Sequence, residues 1–205
     1  DLVTMPWWDD VWLNESFATW FADKIVGEVN PGLHPERAQV ESGLRAMSGD
    51  SLATTRRIRE PVNNFTDIES AFDGIPYSKG GTVLAMFERQ LGADKFREGM
   101  RQYMAKHARG NATSNDLIEA LAAVSKDPDE FRNAFRTFLD QPGVPLLQVR
   151  TQCDDGPPRL LIEQQRYLPV GSTVAASGEW IVPLCVRYGD AGGLHMQCSW
   201  ISGRE

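Results

Sequence analysis

The chain has 205 residues, a length that suits one ordinary domain or two small ones. Hydrophobic residues make up 41% and charged residues 24%, values typical of globular chains, which excludes disordered and fibrous classes. With 21 Lys and Arg against 28 Asp and Glu, the net charge is −7, so nucleic acid is not an expected partner. No stretch reaches the roughly 18 to 20 apolar residues of a membrane span, and no membrane segment is predicted.

Apolar residues at helical spacing predict amphipathic helices in the first two thirds of the chain. The apolar stripes run over residues 13–25, 83–91 and 96–107. Residues 56–66 have no period and are predicted to form an irregular segment of the kind that is often functional. Two later helix starts have local signals. Thr113 begins a capping box that ends at Asp116, and Asp127 precedes a first-turn proline.

After Gln141-Pro142-Gly143 the period changes from helical to alternating, which predicts β-strands. The four predicted strands are residues 146–153, 159–167, 180–188 and 194–200. The last two flank a glycine-rich turn and form a predicted hairpin. The fold class is therefore predicted to be α+β, with a helical part at 1–143 and part of an antiparallel β-sandwich at 144–205.

Neither the cysteines nor the histidines form a metal-site pattern. The cysteines, which contain no Cys-x-x-Cys pair and are interpreted as buried thiols, are Cys153, Cys185 and Cys198. The histidines, which are scattered and are not expected to bind metal, are His34, His107 and His195.

Residues 7–18 place a carboxylate, Glu15, near the start of the first predicted helix. Ala18 and Ala22 lie on the same stripe, so another helix can approach closely beside Glu15. From these residues alone, Glu15 is either a first-turn acid that complements the helix dipole or an acid with a partner on a neighbouring helix.

Tyr77 follows a proline and is predicted to open a helix, with its phenol projecting from the helix N-terminus. Gly80 and Gly81 are poor helix formers, and they fit a place where a backbone or a substrate passes close by. Such a phenol can stabilise a developing oxyanion as a neutral donor. The alternative is a tyrosine that packs its ring and hydrogen-bonds locally.

In this order, the two segments resemble the gluzincin zinc aminopeptidases of the aminopeptidase N and puromycin-sensitive type. The run WWDDVWLNE is similar to the family stretch that carries the third zinc ligand, which would be Glu15. The run YSKG is similar to the family's Tyr-x-Lys-Gly segment, in which the tyrosine, here Tyr77, assists the tetrahedral intermediate. The resemblance implies a parent enzyme with a Zn²⁺ cofactor that removes N-terminal residues from peptide substrates.

The resemblance extends to the rest of the chain. Residues 138–145, FLDQPGVP, are similar to the end of the family's catalytic domain. The resemblance implies that residues 1–143 are the helical C-terminal half of a thermolysin-like catalytic domain. It also implies that residues 144–205 belong to the small β-sandwich domain that follows.

Two family motifs are missing from the sequence. One is the His-Glu-x-x-His helix with the other two zinc ligands and the general base, and the second is the Gly-x-Met-Glu-Asn exopeptidase motif. Too few residues precede Glu15 to hold the first motif at the family's spacing, so the chain is expected to begin just after it. The fragment itself is predicted to bind no zinc and to be inactive.

Two other functions stay open. They are a non-catalytic relative that acts as a protein-binding scaffold, and an epoxide-hydrolysing relative that shares the zinc site. The sequence also leaves open which side chain hydrogen-bonds to a zinc-bound histidine and orients it, because Ala22 stands where many relatives have an acid. Thr19 and Asp23 are the candidates to orient a zinc-bound histidine.

Two structural expectations follow from the resemblance. Glu15 and Tyr77 should approach one concave surface, because both would address the same reacting carbonyl. Absence of the metal-binding helix should expose the alanine side of the first helix and the aromatic surface around Trp7, Trp8 and Trp12. The fragment is therefore expected to self-associate, through this surface or through the open edge of its incomplete sandwich.

Overall fold

The structure is a computed structural model that describes residues 2–153 and 156–203. The helices it describes are α1 (Trp12–Val29), α2 (Pro35–Asp50), α3 (Phe65–Ser70), α4 (Gly80–Leu91), α5 (Ala93–His107), α6 (Ser114–Ala122) and α7 (Pro128–Leu139). The strands it describes are β1 (Val3–Thr4), β2 (Gly110–Asn111), β3 (Pro145–Gln152), β4 (Arg159–Arg166), β5 (Val182–Asp190) and β6 (Gly193–Ile201). A single π-helical turn, Ile75–Lys79, leads directly into α4. Among these helices, none has the length and apolar character needed to cross a membrane.

The core is formed by the apolar stripes of the helices that the periodicity predicts. Phe131 and Phe135 of α7 are fully buried against Phe87 of α4, and the ring centroids of Phe87 and Phe135 lie 4.4 Å apart. Trp20 of α1 packs on Phe96 of α5 with centroids 5.2 Å apart. Rings at this separation add to the free energy gained from burying their surface. The core therefore joins α1, α4, α5 and α7.

Both predicted helix caps are confirmed. The Thr113 side chain accepts a hydrogen bond from the backbone N–H of Asp116, and the Asp116 carboxylate accepts one from the backbone N–H of Thr113. Asp127 accepts from the backbone N–H of Glu130 at the start of α7. These local bonds pair backbone donors that would otherwise lack a partner in the first helical turn.

The predicted strands form two antiparallel hairpins, β3–β4 and β5–β6. In the part of the chain that the structure describes, each hairpin is a separate two-stranded sheet. Gln164 of β4 joins them, because its amide accepts from the backbone N–H of Trp180 at 3.0 Å and donates to its carbonyl at 2.8 Å. Trp180 is fully buried and extends the helical core. The domain boundary near residue 143 stays a prediction.

The cysteine interpretation is wrong. Cys185 and Cys198 stand directly opposite each other in the β5–β6 register and form a disulfide bond. Cys153 is a free thiol but is exposed rather than buried. The pair forms because directly opposite residues in an antiparallel hairpin have β-carbons close enough for their sulfur atoms to bond.

The segment 56–66 is irregular as predicted up to Asn64, where α3 is capped. It lies against the helices through buried Ile58 and through two arginines. Arg56 makes two hydrogen bonds with the Asp73 carboxylate, at 2.8 and 3.2 Å. Arg59 Nε lies 3.3 Å from a carboxylate oxygen of the buried Asp10. Ion pairs of Arg56 with Asp73 and of Arg59 with Asp10 thus hold the first residues of this segment in place.

Candidate active site

The start of α1 is fixed from outside the helix by a buried polar cluster. The Asp10 carboxylate accepts hydrogen bonds from the hydroxyl and from the backbone N–H of Ser114, the second at 3.1 Å. The Trp12 indole donates to the same hydroxyl at 2.9 Å. Asp10, Trp12 and Ser114 are at most 1% exposed. The expectation that Trp12 would be part of an exposed aromatic surface is therefore wrong, because Trp12 is buried against Ser114 at the start of α6 and Phe135 of α7, whereas Trp7 is 55% exposed.

Ser16, the residue after Glu15, makes the closest contact between α1 and the π-helical turn. Its buried hydroxyl donates a hydrogen bond to the carbonyl of Pro76. A β-carbon added at Gly80 would lie 1.9 Å from Ser16 Oγ, and one at Gly81 would lie 3.5 Å from the Thr19 side chain. The expectation that another backbone passes close to these glycines is confirmed, since α1 is that backbone.

This contact brings the two candidate residues together. Glu15 precedes Ser16 and Tyr77 follows Pro76, and both side chains are half-buried. The pKa of the Tyr77 phenol is raised, first by partial desolvation and then by the nearby Glu15 carboxylate, whose charge disfavours a phenolate. Glu15 and Tyr77 therefore lie close together, as expected, while the shared concave surface and their catalytic roles stay predictions.

Tyr77 does not open a regular α-helix as predicted. It occupies the middle of the π-helical turn, and α4 begins three residues later at Gly80. The backbone N–H of Gly80 bonds to the carbonyl of Ile75, the spacing that defines this turn. Single π-helical turns occur often at functional sites. The sequence has no signal for this wider turn beyond Pro76 and the glycine pair.

A buried ion pair that sequence reasoning missed lies two residues beyond Tyr77. The Lys79 ammonium is 2.8 Å from Asp50 Oδ2 at the end of α2, and it donates to the carbonyl of Gly143 at 3.0 Å. Asp50 Oδ1 accepts from Thr55 Oγ1 at 2.7 Å and from the backbone N–H of Gly143 at 3.0 Å. Burial lowers the pKa of Lys79, an effect that Asp50 opposes. Asp50 is an acid at the C-terminus of a helix, where it is unfavourable for the helix dipole. This unfavourable position was the sequence signal that Asp50 has a positively charged partner.

Gly143 is required at the junction of the helical and strand regions. Its φ of +85° lies in the left-handed region, and a β-carbon there would meet Arg166 Nε at 2.6 Å. Arg166 is buried and donates from Nη2 to the carbonyl of Leu52 at 3.3 Å. The glycine therefore allows β4 to pack against the residues that surround the ion pair.

Glu15 is a possible metal ligand, but the described residues supply no complete metal site. No cluster of three or more His, Cys, Asp and Glu side chains within 2–153 and 156–203 could hold an ion. A half-buried carboxylate beside a phenol is nevertheless a suitable single ligand, since carboxylate oxygens bind Zn²⁺. The three histidines lie elsewhere: at the turn before α2, at the end of α5 and on β6. That these histidines bind no metal stays a prediction.

The two candidates for orienting a zinc-bound histidine differ in their contacts. The Thr19 hydroxyl donates to the backbone carbonyl of Glu15 at 2.9 Å, so its proton is already in use. Asp23 is half-buried, and desolvation raises its pKa. Ala18 and Ala22, on the same side of α1, are exposed.

Comparison with known proteins agrees with this arrangement. Residues 1–139, which include Glu15, Tyr77 and all of the helices, match the family model described as "Peptidase family M1 domain". The chain belongs to peptidase family M1. This is a family of zinc metallopeptidases, and the resemblance to gluzincin aminopeptidases is confirmed.

Curated M1 relatives align with nearly all of the chain. It is 35% identical over 184 residues to aminopeptidase M1-D of Oryza sativa subsp. japonica, and 35% identical over 196 residues to alanine/arginine aminopeptidase of Saccharomyces cerevisiae. It is 34% identical over 190 residues to aminopeptidase N of Lactobacillus delbrueckii subsp. lactis. These alignments cover 90%, 95% and 92% of this chain, but 20%, 22% and 22% of the relatives. The chain therefore spans about a fifth of the length of these relatives.

Proposed function

We propose that this chain is part of a zinc-dependent aminopeptidase that hydrolyses N-terminal residues from peptides. The observation that carries the proposal is the contact between Glu15 and Tyr77, formed where α1 meets the π-helical turn. Family membership supports this chemistry, and the matched relatives are named aminopeptidases.

In this proposal each residue has one task. A zinc ion with an open coordination position lowers the pKa of bound water and polarises a carbonyl. Glu15 would supply one carboxylate ligand, and its place in the first turns of a packed helix keeps that carboxylate oriented. Two histidine ligands and the general base would come from a His-Glu-x-x-His segment outside this sequence.

Tyr77 would act as a neutral hydrogen-bond donor. A phenol is protonated at neutral pH and so has a proton to donate, and the raised pKa of Tyr77 favours this form further. Donors held in place before the reaction stabilise the oxygen on which negative charge develops. The fixed backbone of the π-helical turn supports this role, because Pro76 on one side of Tyr77 is bonded to Ser16.

The proposal is tested in a protein of the relatives' length that contains this chain. Glu15→Gln should lower both the bound zinc and kcat/KM. Tyr77→Phe should leave the zinc content unchanged and lower kcat on the order of 10²- to 10³-fold, the usual effect of removing one such donor. Glu28→Gln, an exposed acid on the same helix, and Tyr188→Phe, on the exposed hairpin, are the matched controls.

The outcomes separate the candidate functions. Hydrolysis of aminoacyl substrates that depends on Glu15 and Tyr77 supports the peptidase. Zinc binding without hydrolysis of any aminoacyl substrate would overturn it, and would leave the scaffold or the epoxide-hydrolysing relative. Full activity of Tyr77→Phe would remove Tyr77 from the mechanism.

We also propose that the 205-residue chain alone has no aminopeptidase activity and binds no zinc. One carboxylate cannot replace three ligands and a base. Pure chain should give no turnover of an aminoacyl chromogenic substrate and no bound zinc by elemental analysis. Turnover that a chelator abolishes would contradict this.

We further propose that the isolated chain self-associates through the outer side of α1. An open apolar groove of about 540 Å³ lies between α1 and α5, with Phe21 and Ile25 among its lining residues. These side chains are 45% and 40% exposed, and such surfaces tend to be covered by association. Light scattering across a dilution series should show dimers or larger species that Ile25→Asp converts to monomer. A wild-type monomer at high concentration would contradict the proposal.

A further inference from the structure

We propose that the buried ion pair of Lys79 with Asp50 is a positioning device that holds Tyr77 against Glu15. An effect of this ion pair on catalysis rests on the proposed function. Its effect on the position of Tyr77 does not, because that depends only on contacts within this chain. Lys79 is a positioning residue here rather than a catalytic one, because its ammonium group is bound to Asp50 and to the Gly143 carbonyl.

The first step concerns the residues on either side of Tyr77. Each is attached to a different element: Pro76 accepts from Ser16 of α1, and Ser78 Oγ accepts from Ser42 Oγ of α2 at 2.9 Å. Lys79 is bound to Asp50 at the far end of α2. The backbone that carries Tyr77 is therefore held on both sides.

The second step concerns direction. A π-helical turn is less favourable than α-helix, so this turn persists only where surrounding contacts hold it. The Ser16 bond holds its beginning against α1, and the ion pair holds its end against α2. If the ion pair were lost, the turn would lose the charged contact at its C-terminal end. Tyr77 lies between these two attachments, so its phenol would move relative to Glu15.

The third step separates positioning from stability. Asp50 is fully buried and Lys79 is 4% exposed, so loss of one partner alone would leave an unpaired buried charge and could unfold the chain. Replacing both with apolar residues of similar size is often neutral for stability, because both desolvation costs disappear together. Such a double variant removes the ion pair together with the hydrogen bonds that Asp50 and Lys79 make with Thr55 and Gly143.

The test uses the double variant Asp50→Leu/Lys79→Met in this chain. Tyrosines are labelled with ¹³C at the ring carbon that bears the hydroxyl, and the Tyr77 resonance is assigned by Tyr77→Phe. Glu15→Gln provides the reference displacement for a lost acid–phenol contact. At neutral pH we expect the double variant to remain folded and to displace the Tyr77 resonance comparably with Glu15→Gln, with Tyr103 unchanged.

The second measurement uses the protein of the relatives' length. The double variant should retain its zinc and its KM, and lose kcat on the order of tenfold to a hundredfold, because a small misplacement of a catalytic group has costs of this size. Lys95→Met, an exposed lysine of α5, is the control and should change neither quantity.

The outcomes distinguish this inference from the proposed function. A folded double variant with an unchanged Tyr77 resonance would overturn the inference, whatever the activity. A displaced resonance in a protein that hydrolyses no aminoacyl substrate would support the positioning device and overturn the proposed function. If the double variant unfolds, the neutral polar double variant Asp50→Asn/Lys79→Gln replaces it, and an undisplaced Tyr77 resonance in that folded variant would then overturn the inference.

Discussion

Gly80→Ala should destabilise the chain, although alanine is the better helix former. Gly80 has helical backbone angles, φ −62° and ψ −42°, so alanine needs no change of backbone conformation. Its β-carbon would, however, lie 1.9 Å from Ser16 Oγ and 3.0 Å from Ser16 Cβ. Rotation of the hydroxyl relieves only the first overlap, so α1 and the π-helical turn must move apart.

The magnitude follows from three contributions. Replacing glycine with alanine inside a helix stabilises by about 1 kcal/mol. Forcing a methyl group into a packed contact costs about 1–3 kcal/mol. Displacing Ser16 also leaves the buried carbonyl of Pro76 without its donor, which costs about 1–3 kcal/mol more. The net loss of unfolding free energy is therefore expected to be about 1–5 kcal/mol.

Urea unfolding followed by tryptophan fluorescence measures this loss. Two matched controls lie in the same chain: Gly81→Ala, whose new β-carbon would have ordinary contacts from 3.5 Å, and Gly49→Ala in α2, which meets nothing within 4 Å. Both should be neutral or stabilised by up to about 1 kcal/mol. Ser16→Gly should restore part of the stability of Gly80→Ala. If Gly80→Ala is as stable as Gly81→Ala, the close contact between α1 and the π-helical turn is wrong.

Three further predictions concern other parts of the chain. Asp127→Ala should lower the unfolding free energy by about 1 kcal/mol, because it removes the cap of α7, and urea unfolding would contradict this if the midpoint were unchanged. Burial, followed by nearby carboxylates, raises the pKa of Tyr103 to about 12 from 10.0. Between these values the unfolded chain loses the proton and the folded chain keeps it, so stability should fall as pH rises from 10 to 12, less so in Tyr103→Phe. A thiol reagent should label Cys153 before reduction, and Cys185 and Cys198 only after it; three labelled thiols in the unreduced chain would exclude the disulfide.

The helix caps and the hairpins could be predicted because their signals are local. Thr113 and Asp116 are three residues apart and bond to each other, so the sequence contains the whole interaction. The alternation of β5 and β6 likewise predicts the hairpin but not its register, because the strands extend to Asp190 and Gly193 and leave a tighter turn than the sequence indicates. Cys185 and Cys198 are equally far from that turn, so their pairing could have been inferred once the register was taken into account.

The sequence indicated which residues are candidates for the site, but not how they are arranged in space. The two runs that end at Glu15 and begin at Tyr77 identified the residues through their resemblance to a family. Their spatial relation depends on Ser16, Pro76 and Gly80, and no spacing rule connects α1 with a turn so far along the chain. The π-helical turn itself arises from these contacts rather than from local propensity.

The sequence alone thus determined the longer strands, most of the helices but not α2 or α3, and which two side chains are the candidates for chemistry. Only the tertiary structure decided that Trp12 is buried against Ser114 and Phe135, that Asp50 is the partner of Lys79, and that the Tyr77 backbone is held from two sides. The physical reason is the distance in sequence over which each kind of interaction acts. Periodicity and capping act within a few residues, whereas burial removes water from groups that are distant in sequence and makes their mutual contacts decisive.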